Sequence, residues 1–596
     1  MKKDTQTPVE ATWNLSDMFA DVESWQAQLA QAKTVCDKLA AQRGHAGESP
    51  SALLQTAQLY EQLNLNIEQL FVFANTNYDQ DMSNSQAKDL YETISNEYTA
   101  MQERISFLAP ELMQMTPEQF SSYCEQCPEL RLYEQFAKDF FAKREHILPA
   151  EMETLLVRME NLGSSFSKTF DDLTVNDVHF PEVEGPDGTP FTANEANYQQ
   201  ALINSDRDFR ARYFNGLLGV YGQHIHTLAS LYYGSVKNDV YQARSRRYPS
   251  ARAMSLDANH VQEAVYDNLI ATVREHIGPL QDYVALRQQV LELNDIHFYD
   301  LFVPMVRDTE RRYSYEEAQE LVLKATAVLG EDYTAVLKEA MQNRWIDVYP
   351  ASNKATGAYS TCAYGFHPYM LLNYTGTLDD VFTLAHELGH SMHSYYSHKN
   401  QPYIYADYSI FTAEVASTLN EELLFHYLYT HSSTPAEQAL LLSKHLDDIR
   451  STFYRQTMFA DFENQTHQEV EQGRPLLPEE LCEKHRALNQ LYYGPQFTVD
   501  ESLTYEWARI PHFYRAFYMY QYATGISAAI SIARRIREQG AGAVADYRRF
   551  LTTGGSNHPI ELLKIAGVDM ASPKPILDTI ADFSETLQKL RSLLGK

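Results

Sequence analysis

The chain has 596 residues, 44% of them hydrophobic, enough to bury a large core or two to four ordinary domains. Its 79 acidic against 49 basic residues give a net charge of −30, which argues against nucleic-acid binding, and no basic amphipathic helix marks a membrane surface. No run of 18 apolar residues exists, Met1–Gln6 has no apolar stretch behind it, and five cysteines are too few for a disulfide framework, so a cytoplasmic protein without leader or membrane span is expected.

From the N-terminus, apolar residues at the 3.6-residue period predict helices over 23–43, 51–75 and 84–108, with a loop at 44–50. Cys124-Glu125-Gln126-Cys127 matches C-x-x-C, but no second pair follows and no thioredoxin-like pattern surrounds it, so it reads as a helical coincidence. Around 172–196, Val175, Val178 and Phe180 ahead of the Gly185-Pro186-Asp187-Gly188 turn predict strands. The same zone is the expected domain boundary, separating 1–195, a helical N-terminal domain, from 196–596. A further helical stretch is expected over 257–294. Tyr364–Tyr374, aromatic and aliphatic with Gly365 and Pro368, predicts a short edge strand. The fold expected is mainly α with a small β element.

The segment from Thr377 to His390 carries the strongest chemical signal. It contains H-E-x-x-H as His386-Glu387-Leu388-Gly389-His390. Thr377 followed by Asp380 is a helix start, and Val381, Ala385, Leu388 and Met392 form an apolar stripe that would anchor the helix in a core. Residues four apart share a helical face, so two imidazoles can hold one Zn²⁺ while Glu387 faces a metal-activated water. Gly389 lowers helix propensity and so points to a close backbone approach. The competing reading is a buried helix with two hydrogen-bonded histidines.

A catalytic zinc takes three protein ligands and leaves a fourth position open. His393 is a rival third ligand on the same face, but it lies about 10 Å along the axis from His386 at 1.5 Å per residue, too far for easy sharing of one ion. Glu414 is the better candidate. It opens a run in which Val415, Leu419 and Leu423 recur at i+4, and a carboxylate beginning a buried helix is costly unless paired or bound to metal. Ser417, Thr418 and Glu421 share its face as possible supports. Alternatively, Glu414 is a helix N-terminal carboxylate favoured by the dipole.

The run Gly357–Ser394, with Ala11–Phe19, Phe411–Glu421, Ile510–Gly525, Gly554–Ser556 and Ala566–Met570, resembles the M3 family of zinc oligopeptidases in its oligoendopeptidase F branch. Thimet oligopeptidase and neurolysin belong to the same family. The matches reach from about residue 11 to about 570. The resemblance implies a helical protein cut by a deep channel, with 1–195 as part of its wall and zinc, one per chain, on its floor. It implies short peptides as substrates, His386, His390 and Glu414 as ligands, and Glu387 as general base. It also implies substrate contacts from the His512–Tyr522 region. One departure is visible: Phe517 falls where the thimet branch has a tyrosine.

On this reading Glu387 takes the water proton and passes it to the leaving amine, while a neutral donor, His512 or Tyr520, holds the oxyanion. Tyr514, Tyr518 and Tyr522 are further contact candidates, although their i+4 spacing also suits a core stripe. An extended peptide could add to the strand edge near 364–374 through main-chain bonds. Two rivals stand beside the endopeptidase. A metallocarboxypeptidase would need a cation such as Arg515 for a free carboxylate. A peptide-binding protein with structural zinc would have no use for Glu387 as a base. The oligomeric state is not legible.

Overall fold

The computed structural model describes residues 8–306 and 311–596. The N-terminal hexapeptide read as lacking a leader lies outside the described residues. Helices make up 72% of the chain and the sheets are small, as the mainly α expectation requires. None of the described helices is long and apolar enough to cross a membrane. The chain divides into two compact units. One comprises Met1–Ile147, Arg311–Tyr427 and Ile532–Gly567, the other Leu148–Glu310, Leu428–Ser531 and Val568–Lys596. Residue 195, the boundary expected from the sequence, lies inside the second unit.

In the first unit, α1 (Val22–Ala40), α2 (Pro50–Gln80) and α3 (Ser85–Ile105) begin where the sequence supplies caps. Asp21, Ser49 and Asn84 each accept a hydrogen bond from a first-turn amide, and Pro50 follows its cap at a position where no N–H is needed. Trp25, Leu70 and Ile94 are buried where the three helices meet, and the Trp25 indole donates to the Leu70 carbonyl at 3.0 Å. The segment before α1 runs alongside a small sheet. The Val348 amide donates to the Ala11 carbonyl and the Asn14 amide to the Arg344 carbonyl, while Trp13 packs against Tyr359 and Tyr369.

That sheet has three strands: β1 (Ile346–Asp347), β2 (Tyr359–Thr361) and β3 (Tyr369–Leu371). β3 is central, parallel to β1 and antiparallel to β2. This corrects the edge strand expected over 364–374. Gly365, at φ +92°, turns the chain away, only Tyr369–Leu371 pairs, and the free edge belongs to β2. The loop between β1 and β2 is pinned by Lys354, whose buried ammonium pairs with Asp347 at 2.6 Å and donates to the Tyr349 and Leu372 carbonyls.

The second unit holds two further corrections. Residues 172–177 do not form a strand. They continue the preceding helix as a widened turn, and strand pairing starts only in the hairpin Glu182–Glu184/Pro190–Thr192 around the expected Gly185–Gly188 turn. The helical stretch 257–294 is two helices, Glu263–Glu275 and Gly278–Val290. Pro279 cannot continue a helix from the preceding turn and starts a new one instead.

A buried ionic group braces this unit. Glu506 accepts from Arg455 at 2.8 Å and lies 3.1 Å from His485 Nε2, with Glu506 and His485 fully buried. Burial alone would raise the Glu506 pKa, but Arg455, His485 and Arg509 outweigh it and hold the carboxyl down at about 2. A carboxyl with a folded pKa below its unfolded one stabilises the fold above the unfolded value, near 4.5, and loses that contribution as pH falls towards 2. Glu506→Gln is therefore expected to cost about 3–5 kcal/mol near neutral pH by leaving Arg455 unpaired. Melting curves from pH 7 to 2 should show the difference between wild type and variant shrinking below pH 4.5.

Candidate metal and catalytic site

Helix α4 (Leu378–Asn400) starts at a reciprocal cap. Thr377 Oγ1 accepts from the Asp380 amide at 3.1 Å, and the Asp380 carboxylate accepts from the Thr377 amide at 2.9 Å. Val381, Ala385, Leu388 and Met392 are all buried, the stripe the sequence predicts. Each large side chain among them contributes about 1.5–3 kcal/mol by leaving water. Helix α5 (Ile410–His431) packs across α4 at Gly389. A Cβ there would lie 2.5 Å from both the Ala416 carbonyl oxygen and Ser417 Cα, so only glycine permits this approach. Asn420 ties the helices further by donating to the Ala385 carbonyl at 3.1 Å. Gly389→Ala is expected to push the helices apart at a cost of about 1–3 kcal/mol, as overpacking does. Metal affinity should fall at least about tenfold, a loss of roughly 1.4 kcal/mol, measurable by competition with a chelating dye.

The crossing brings His386, His390 and Glu414 together, with one candidate ligand atom from each inside a 4.8 Å span. Glu414 Oε2 lies 3.4 Å from His386 Nε2 and 3.7 Å from His390 Nε2. Ligands about 2.0–2.1 Å from a tetrahedral zinc stand roughly 3.4 Å from one another, so the donor set and its spacing fit such an ion. Glu421 faces His386 Nδ1 at 2.5 Å, leaving Nε2 turned to Glu414, and Ser417 Oγ donates to Glu414 at 3.2 Å. Ser417 and Glu421 thus occupy the supporting places foreseen for them. No contact of Thr418 with a ligand is present among the described residues.

The electrostatics also favour a cation. Burial works against protonation of His386, but Glu421, then Glu387 and Glu414, overcome it and raise its pKa to about 9. Burial and the neighbouring His386 pull His390 down to about 3. Three carboxylates surround two imidazoles, a balance that a bound dication would neutralise.

Glu387 is 6% exposed and close enough to His386, Glu414 and Glu421 for their charges to act on its carboxyl. The main chain of Ser360 on β2 hydrogen-bonds to its carboxyl, and its Oε2 has no hydrogen-bond partner among the described residues. Burial raises its pKa to about 7, with His386 opposing and Glu414 and Glu421 reinforcing. A carboxyl in that range suits proton transfer near neutrality. Sequence reasoning missed the Ser360 contact and the Ser360–Ser391 hydroxyl pair at 2.8 Å, because both join segments about 30 residues apart with no motif of their own.

His393 does not join the three candidate ligands. It is buried, stacked on Tyr408 at 3.7 Å between ring centroids and close to Phe550 at 5.2 Å, and burial holds its pKa at about 3. Its role is a neutral packing ring.

The second unit carries the other residues singled out in the sequence. His512 lies on a short turn, Pro511–Tyr514, with Nε2 3.5 Å from the Tyr522 hydroxyl. Tyr518 stacks beside His512 and packs edge-on to Tyr522, 5.5 Å between centroids. Burial, then the Arg515 charge, lowers the His512 pKa, so the ring is neutral at pH 7 and keeps an N–H to donate. All three side chains are part-exposed. Tyr520 is different. It is 1% exposed and packs on Tyr266 at 5.2 Å, so the donor preference given to it from the sequence conflicts with its packing. Tyr514 packs on Phe170 at 4.7 Å.

Two histidines on one helix meet a carboxylate on the next, a donor set that could hold a metal ion. The model for Peptidase family M3 matches residues 201–582, and one described as Oligopeptidase F matches 111–180. The chain belongs to peptidase family M3. Oligopeptidase PepF of Bacillus subtilis is 39% identical over 99% of this chain and 88% of its own length. A putative peptidase from Chlamydophila abortus has a similar structure, with a TM-score of 0.92 at 33% identity over 99% of both chains. Oligoendopeptidase-F from Enterococcus faecium superposes with a TM-score of 0.76 at 32% identity, over 96% of this chain and 99% of its own.

Proposed function

We propose that this chain is a zinc-dependent endopeptidase that hydrolyses internal bonds of short peptides. The observation that carries the reading is Glu387, a buried carboxyl with one oxygen unpartnered among the described residues, next to a three-ligand cluster. A structural metal site has no use for such a group. His386, His390 and Glu414 would hold one Zn²⁺ per chain, which when bound would acidify a water to a pKa of about 7 and polarise a substrate carbonyl. Glu387 accepts the proton of the attacking water and delivers it to the departing amine. His512 and Tyr522, a neutral pair in hydrogen-bond contact, stabilise the carbonyl oxygen as it gains charge, and Tyr518 packs beside them. Tyr522 replaces Tyr520 in this role because its ring is part-exposed. The free edge of β2, whose Ser360 main chain meets Glu387, is the place for an extended peptide to add by main-chain bonds, which gives weak side-chain selectivity.

The names of the oligopeptidase relatives support a limit on peptide length, and a channel that excludes folded proteins belongs to the same proposal. Five cysteines, all unpaired, support a reducing cytoplasmic setting. An internally quenched peptide blocked at both ends tests the reading. An endopeptidase cleaves it. A strict carboxypeptidase, for which exposed Arg515 would have to bind a free carboxylate, leaves it intact, and a peptide-binding protein retains it uncut.

A further inference from the structure

Between His512 and Tyr522 the chain passes through Phe517 in the left-handed region, at φ +54°, a conformation that bulky residues rarely adopt. The peptide unit joining Ala516 to Phe517 is held at both ends. Its carbonyl accepts from Ser255 Oγ at 2.7 Å, and its N–H donates to Glu463 Oε1 at 2.7 Å. Glu463 lies on α6 (Arg455–Glu471) and is fully buried. Its other oxygen has no hydrogen-bond partner among the described residues, and burial raises its pKa to about 8, so no unpaired charge is left in the core. The Phe517 ring, 1% exposed, is packed at 4.5 Å from His467 and 5.6 Å from Tyr266. His467 is itself anchored, with Nδ1 2.9 Å from the Glu463 carbonyl and Nε2 3.3 Å from Asp239.

We propose that this clamp, Ser255 and Glu463 on one peptide bond, is the positioning device that fixes the turn between His512 and Tyr522 and so sets the geometry of the two donors. Glu463 touches neither substrate nor metal ligand in this role. It acts through the backbone of Phe517, and the inference rests on the donor function proposed above. A buried carboxyl spent on one amide is otherwise a costly choice for a core position. Here it holds a positive-φ turn without glycine, after which Tyr518 and Tyr522 lie beside His512 and Tyr520 packs on Tyr266.

The test is a set of variants assayed per mole of bound zinc on the doubly blocked peptide. Glu463→Gln keeps an acceptor for the Phe517 amide and should retain kcat within about threefold. Glu463→Leu removes it and should lower kcat at least tenfold with KM little changed. Ser255→Ala, a milder cut at the other end of the same peptide, should lower kcat in the same direction and keeps the test available if Glu463→Leu does not fold. Hydrogen exchange at 515–519 should speed up in both clamp variants. In a Tyr522→Phe background the Glu463→Leu loss should be clearly smaller than in wild type, because one of the two donors it positions is already gone. A full, multiplicative loss in that background, or unchanged kcat per zinc with only a lower Tm, would overturn the clamp as a positioning device. Full kcat in Tyr522→Phe and His512→Ala would overturn the donor reading, and the clamp with it.

Discussion

Glu387→Gln is expected to lower kcat by about 10²–10⁴, the usual contribution of a general acid–base group, while bound zinc stays near one per chain. The argument rests on placement. Glu387 follows His386 on α4, so its side chain leaves the helix beside the candidate ligands without belonging to their cluster. Its carboxyl is buried, contacted by the Ser360 main chain, and set at a pKa of about 7 chiefly by burial. The amide variant keeps the shape and the capacity to accept the Ser360 hydrogen bond but cannot take a proton. KM should change little, because the group acts on the water and the leaving amine rather than on substrate side chains. A parallel loss of zinc would instead mean that the residue is a ligand.

Glu414→Ala is expected to abolish activity by a different route. Removing the carboxylate leaves two imidazoles on one helix, and His386 then faces only Glu421 and Glu387. Metal affinity should drop by at least the 10–100-fold seen when outer-shell partners are lost, and more for a direct ligand. The two variants therefore separate cleanly: zinc with no turnover in Glu387→Gln, and neither zinc nor turnover in Glu414→Ala. Excess zinc should restore part of the activity only in the second.

Much of this site was legible before the fold was known, for local reasons. The Thr377 cap, the apolar stripe of α4 and the i, i+4 pair of histidines are all encoded within a few turns of one helix. Gly389 announced a close approach, and Ala416 and Ser417 of α5 are what it approaches. What failed were choices that depend on segments far away in the chain. The edge strand went to β2 and not to 364–374 because Ile346–Asp347 pairs with the other side of β3, and nothing within 364–374 reports that neighbour. In the sequence Tyr520 is the preferred donor and Tyr522 has an i+4 spacing that suits a core stripe. Only the partner ring of Tyr266 shows that one of them is core. The peptide clamp on Phe517 was invisible for the same reason, since Ser255, Glu463 and Phe517 come from three separate stretches.

The central claim is that one metal ion held by His386, His390 and Glu414 makes this chain a peptidase. The most direct test strips the purified protein with a chelator and titrates Zn²⁺ back while following both bound metal and cleavage of the doubly blocked peptide, with His390→Ala alongside. The account predicts no cleavage in the stripped protein, recovery that saturates at one zinc per chain, and neither tight binding nor recovery in His390→Ala. Full cleavage without metal, or tight binding of one zinc per chain by His390→Ala, would contradict it.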